Sequence, residues 1–153
     1  MDPLSLVANV ITVLQAANSI ITMCYECRAA VRKAPWSLTK VLEEMRDLRA
    51  VLESLMYVAE RCVESPGRDY PQLRALDLLC DPNTGPLTRC EQELLYLEKK
   101  IKPCGDVKKR ISKPRALLQV MRWQLKENEA KAILKRIERC KITIALAMTA
   151  DEM

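Results

Sequence analysis

Apolar side chains recur along this chain in alternating gaps of three and four residues. From Leu38 they fall at Val41, Met45, Leu48, Leu52, Leu55, Ala59 and Cys62. That spacing is the buried seam of an amphipathic helix. Glu43, Glu44, Arg46, Asp47, Arg49 and Glu53 hold its outer face. A second seam runs through Leu87, Cys90, Leu94, Leu97 and Ile101, and a third through Ile133, Ile137, Cys140, Ile144 and Met148. The pattern predicts helices over about 38–62, 87–101 and 126–148, with shorter ones over 72–79 and 115–122. Pro35 precedes the first seam, and Ser65, Pro66 and Gly67 mark a loop over 64–71. "CDPNTGP" reads as a turn, and Pro103 and Gly105 stop the helix before them.

The opening stretch has a different pattern. From Pro3 to Tyr25 no residue is charged. Ser5, Asn9, Thr12, Gln15, Asn18, Ser19 and Thr22 fall on one half of a helix turning about 100° per residue. Leu6, Val10, Val13, Leu14, Ala17, Ile21 and Cys24 fall on the other half. Asp2 suits the N-cap, Pro3 the first helical position, and Arg28, Arg32 and Lys33 the C-terminal end. A signal peptide needs positive charge ahead of its apolar run, and here only Asp2 stands there. The length would suit a membrane span. The gathering of polar residues on one side instead predicts an amphipathic helix, at rest in the core of a bundle. The absence of charge leaves it able to enter lipid, because charges are what lipid disfavours most.

No amphipathic helix hides its stripe alone, so the seams must meet. The expected fold is all-α: a single-domain helical bundle over 1–153, with four main helices, one or two short ones, and the other seams packed around the first helix. Three glycines and no phenylalanine in 153 residues agree with it. Seven scattered cysteines, an odd number, argue against a secreted disulfide framework and for a reducing, cytoplasmic setting.

The charge is lopsided. Residues 1–98 balance to −4 and residues 99–153 to +9. Lys99, Lys100, Lys102, Lys108, Lys109, Arg110, Lys113 and Arg115 lie in a 99–115 connector opposed only by Asp106. Such a run is either a solvated loop or an anion-binding patch. Each of its residues would add about 1 kcal/mol near an anionic leaflet. Nucleic acid would also be attracted, but no aromatic residue interleaves the run to stack on bases.

Catalytic chemistry has little to work with. Histidine is absent, and no phosphate loop, dinucleotide fingerprint or nucleophile elbow occurs. "CYEC" pairs Cys24 with Cys27 inside a predicted helix rather than beside a βαβ unit, so core or surface thiols are expected. Glu43 with Asp47, and Glu127 with Glu129, read as ion-paired helix faces. The expectation is a non-enzyme with no cofactor and no metal.

Four blocks occur in an order found in one family. They are "MDPLSLVANVITVLQAA", "KAPWSLTKVLEEMRDLRAVLESL", "PNTGPLTRCEQELLYLEKKIKP" and "RWQLKENEAKAILKRIERCKITIALAM". The chain resembles the N-terminal domain of fungal STAND proteins, the NLR-like receptors that continue into NACHT and ankyrin or WD repeats. The N-terminal part of an azaphilone pigment cluster protein belongs to the same family. The resemblance covers nearly all of the chain. The start and the "GPL" block are its more specific parts. It implies a HeLo-like bundle, akin to fungal cell-death domains of heterokaryon incompatibility and to the bundle of the mixed-lineage kinase-like pseudokinase. It also implies a membrane-active helix over 3–33, with Leu4, Leu6, Val7, Val10, Ile11, Val13, Leu14, Ile20 and Ile21 as inserting residues. Gln124 stands where many relatives have proline, which softens the expected break before the last helix. The chain ends near the domain's own end, so an excised module and a short stand-alone form both stay open.

Three functions follow as expectations. The first is a cell-death effector that meets anionic membrane lipid on activation, self-associates, and works with NACHT or repeat regions in cis or a receptor in trans. The second is an interaction or oligomerisation module with no membrane step. The third, weaker, is a basic nucleic-acid binder.

Overall fold

A computed structural model describes residues 3–30, 35–64, 78–79, 81, 83, 85–101 and 125–149. They form four helices and, among the described residues, no strand: α1 (Pro3–Ala30), α2 (Trp36–Glu64), α3 (Pro86–Ile101) and α4 (Glu127–Thr149). The protein is an all-α helical bundle. Of the two short helices expected, only Leu78 and Leu79 of the first are described, as helix. The second, over 115–122, lies outside the described residues.

The seams are the core. Every α2 position from Leu38 to Cys62 in the 3-4 series is buried, as are Leu87, Cys90, Leu94, Leu97 and Ile101 of α3 and Ile133, Ile137, Cys140 and Ile144 of α4. Each such leucine or isoleucine contributes about 1.5–3 kcal/mol by leaving water. Met148 is only partly covered, one residue from the end of its helix. From α1 come Leu6, Val10, Val13, Ala17, Ile20, Ile21, Cys24 and Cys27.

Neighbours and directions follow from a few contacts. Five residues separate α1 from α2, and the Arg46 guanidinium lies 5.6 Å from the Tyr25 ring centre, so α2 folds back along α1. Lys131 lies over Trp36 at 5.3 Å, while Lys141 reaches Glu44 at 3.3 Å. Both numbers rise together, so α2 and α4 run parallel. The Ser37 hydroxyl donates to the Leu125 carbonyl at 3.3 Å and ties the two starts together. Arg136 meets Glu93 at 2.7 Å, and Arg139, Cys140 and Thr143 flank a groove with Pro86 and Arg89. There one number rises as the other falls, so α3 and α4 are antiparallel.

The helices form a ring in which α1 touches α2 and α3, and α4 touches the same two. The expectation that the other three seams pack around α1 is therefore corrected. α4 occupies the opposite corner, and its backbone is not a neighbour of the α1 backbone. Four stripes of similar width close a square, and a square has diagonals.

The turn before α3 is built for close approach. The Asn83 amide donates to the Asp81 side chain at 3.0 Å, and the Gly85 amide donates to the Asp81 carbonyl at 2.8 Å. A Cβ on Gly85 would stand 2.5 Å from the Leu79 carbonyl oxygen and 2.6 Å from Asp81 backbone atoms. Only glycine fits there without a shift of backbone.

Candidate membrane-active helix

α1 is the one helix among the described residues long and apolar enough to cross a membrane, by length and composition. Core helices of soluble proteins and signal sequences pass the same test. Its 28 residues extend about 42 Å, and the charge-free part about 35 Å, against a hydrocarbon layer of about 30 Å.

The bundle divides the nine residues assigned to insertion. Leu6, Val10, Val13, Ile20 and Ile21 are buried in the core. Val7 and Leu14 are half-covered at its edge, and Leu4 and Ile11 are exposed. The nine do not form one lipid-facing surface in this packing. The helix has to leave the bundle before the core five can meet anything else.

The polar half faces outward. Ser5, Asn9, Thr12, Gln15, Asn18 and Thr22 are exposed, and Ser19 is half-buried with its hydroxyl donating to Glu98 of α3 at 3.5 Å. Thr12 and Thr22 already donate to the carbonyls of Ala8 and Asn18, each at 3.0 Å. Those two hydroxyls carry their partners with the helix into any surroundings, because the acceptors belong to the same helix.

Cys24 and Cys27 both point into the bundle. Burial, with a smaller contribution from the Cys27 charge, pushes the Cys24 thiol up to about 12. Burial also raises Cys27, Cys62, Cys90 and Cys140. These thiols stay protonated near neutral pH and are poor nucleophiles. Among the described residues no three Cys, Asp or Glu side chains converge as a metal site needs.

Three of the four acidic neighbours, Glu43, Asp47 and Glu127, are ion-paired on helix faces, and Glu129 makes no ion pair among the described residues. Glu43 meets Lys40 at 3.3 Å and Glu127 meets Lys131 at 3.1 Å. Of the basic connector, Lys99 is exposed at the end of α3 and Lys100 lies over the Tyr96 ring at 5.5 Å. Lys102, Lys108, Lys109, Arg110, Lys113 and Arg115 lie outside the described residues.

Sequence reasoning missed the groove between α3 and α4. It has a volume of about 190 Å³ and collects Arg89, Gln92, Glu93, Arg136 and Arg139. No linear signal joins Arg89 to residues almost fifty positions away. Compared with known protein-family models, curated proteins and solved structures, the chain matches none.

Proposed function

We propose that this chain is a non-catalytic effector or signalling domain that acts on membranes through α1, the HeLo-like role that the sequence resemblance implies. The observation that carries the reading is the freedom of α1 from charge over Pro3–Tyr25, in a helix with an apolar inner half and an uncharged polar outer half. The same helix is compatible with the core of a bundle and with lipid, since neither environment has to dehydrate a charge. At rest α1 covers the core. On activation it leaves, inserts, and several copies turn their Ser, Asn, Thr and Gln faces toward one another, because those groups need partners in hydrocarbon. The basic connector draws the domain to an anionic leaflet from the cytoplasm.

The test exploits the outward-facing residues. Asn9→Lys with Thr12→Lys places charge on exposed positions, so the bundle keeps its unfolding midpoint. Leakage of dye from anionic liposomes and toxicity on expression in yeast are expected to fall, as they are on deletion of residues 1–20. Leakage that survives both changes refutes the membrane role. The second reading is an interaction module, favoured by the outward apolar pair Ile142 and Leu146, one turn apart on α4. It takes over in that case.

A further inference from the structure

We propose that the groove between α3 and α4 binds a phosphate monoester. Arg89 stands on one wall, and Arg136 and Arg139 stand one turn apart on the other. Three guanidiniums and one carboxylate, Glu93, give the lining a charge of +2. Glu93 is engaged by Arg136 at 2.7 Å, so its carboxylate is already partly neutralised. Among the described residues neither Arg89 nor Arg139 makes an ion pair. Both keep their full set of donors for a ligand. Guanidinium forks match the oxygens of a phosphate, and a dianion balances the lining charge where a carboxylate would leave it half-met. Gln92 adds a neutral donor at the rim. The Thr143 hydroxyl donates to the Arg139 carbonyl at 2.9 Å and is not free to bind. Among the described residues no aromatic side chain lines the groove, so they offer a nucleobase no stacking surface, and the phosphate itself is what is recognised.

The phosphate can belong to a small soluble monoester or to a lipid headgroup. The site does not depend on the membrane role of α1, because the groove residues belong to α3 and α4 and none of those described comes from that helix. The two proposals therefore fail separately. Titration of the whole chain with glycerol 3-phosphate, followed by calorimetry at low salt, is expected to show one saturable site. The Arg89→Gln, Arg139→Gln double variant should bind about tenfold more weakly or worse, with the parent's unfolding midpoint, because both side chains are exposed. The double exchange to Lys should fall between, since it keeps charge but loses the fork. A parallel arm uses phosphatidylcholine vesicles with and without phosphatidylinositol phosphate. Arginine-dependent binding to the vesicles alone assigns the headgroup as the source. Arginine-dependent binding of the soluble monoester shows that the phosphate suffices. No saturable binding in either arm, or equal binding by the Gln double variant, overturns the proposal.

Discussion

Leu48→Ala separates the stability of the bundle from the release of α1. Leu48 is 0% exposed and sits midway along α2 in the shared core. Truncation removes three carbons from a packed interior and leaves a void. Leucine-to-alanine changes of this kind cost about 3 kcal/mol, with a range of roughly 2.7–5. At about 2–4 °C per kcal/mol for a chain of this length, the unfolding midpoint falls by about 6–12 °C. Part of that loss is felt by α1, whose inner half shares the core. If release of α1 abandons a third of the lost energy, the released state gains about fivefold, and if it abandons all of it, about 150-fold. Circular dichroism reads the midpoint, and dye release from anionic liposomes reads the released helix. Leu48→Ala should leak faster than the parent, and deletion of residues 1–20 in the same background should remove the gain. An unchanged midpoint would show that Leu48 is not core. A lowered midpoint with unchanged leakage, or leakage that persists without residues 1–20, would refute release of α1 as the active step.

Gly85→Ala should cost about 1–3 kcal/mol, read in chemical denaturation, because the new methyl meets the backbone of Leu79 and Asp81; an unchanged midpoint would show that the turn yields freely. The thiols predict an alkaline limit. Cys24 titrates at an ordinary value of 9.0 when unfolded and near 12 when folded, so above about pH 9 the unfolded chain holds fewer protons and stability falls as pH rises. Melting between pH 9 and 12 checks this, and Cys24→Ala should show a shallower decline. Changing Lys108, Lys109 and Arg110 to Glu should abolish sedimentation with anionic liposomes at an unchanged midpoint. Parent binding should weaken with salt as the Debye length shrinks from about 10 Å at 0.1 M to about 3 Å at 1 M. Equal sedimentation of the variant would make the connector an ordinary solvated loop.

The helices and their buried faces were legible in the sequence wherever charge opposed hydrophobicity. Along α2 every 3-4 position from Leu38 to Cys62 is buried, since Glu43, Arg46 and Asp47 leave only one face able to turn inward. On α1 the same reasoning had less to hold. With no charge to point outward, Ile20 is not placed in the apolar half, and Cys27 falls beyond the charge-free stretch, yet both are buried. On α4, Ala130 and Leu134 widen the stripe beyond the strict seam. Periodicity fixes which side of a helix is covered, because it follows from the backbone's own geometry. It does not say which helix does the covering, because similar stripes are interchangeable partners. The ring that sets α1 diagonal to α4, the parallel run of α2 beside α4, and the meeting of Arg89 with Arg136 and Arg139 were decided only by tertiary packing. There, connection lengths and contacts such as Glu93–Arg136 and Lys141–Glu44 select one arrangement from several that bury the same residues.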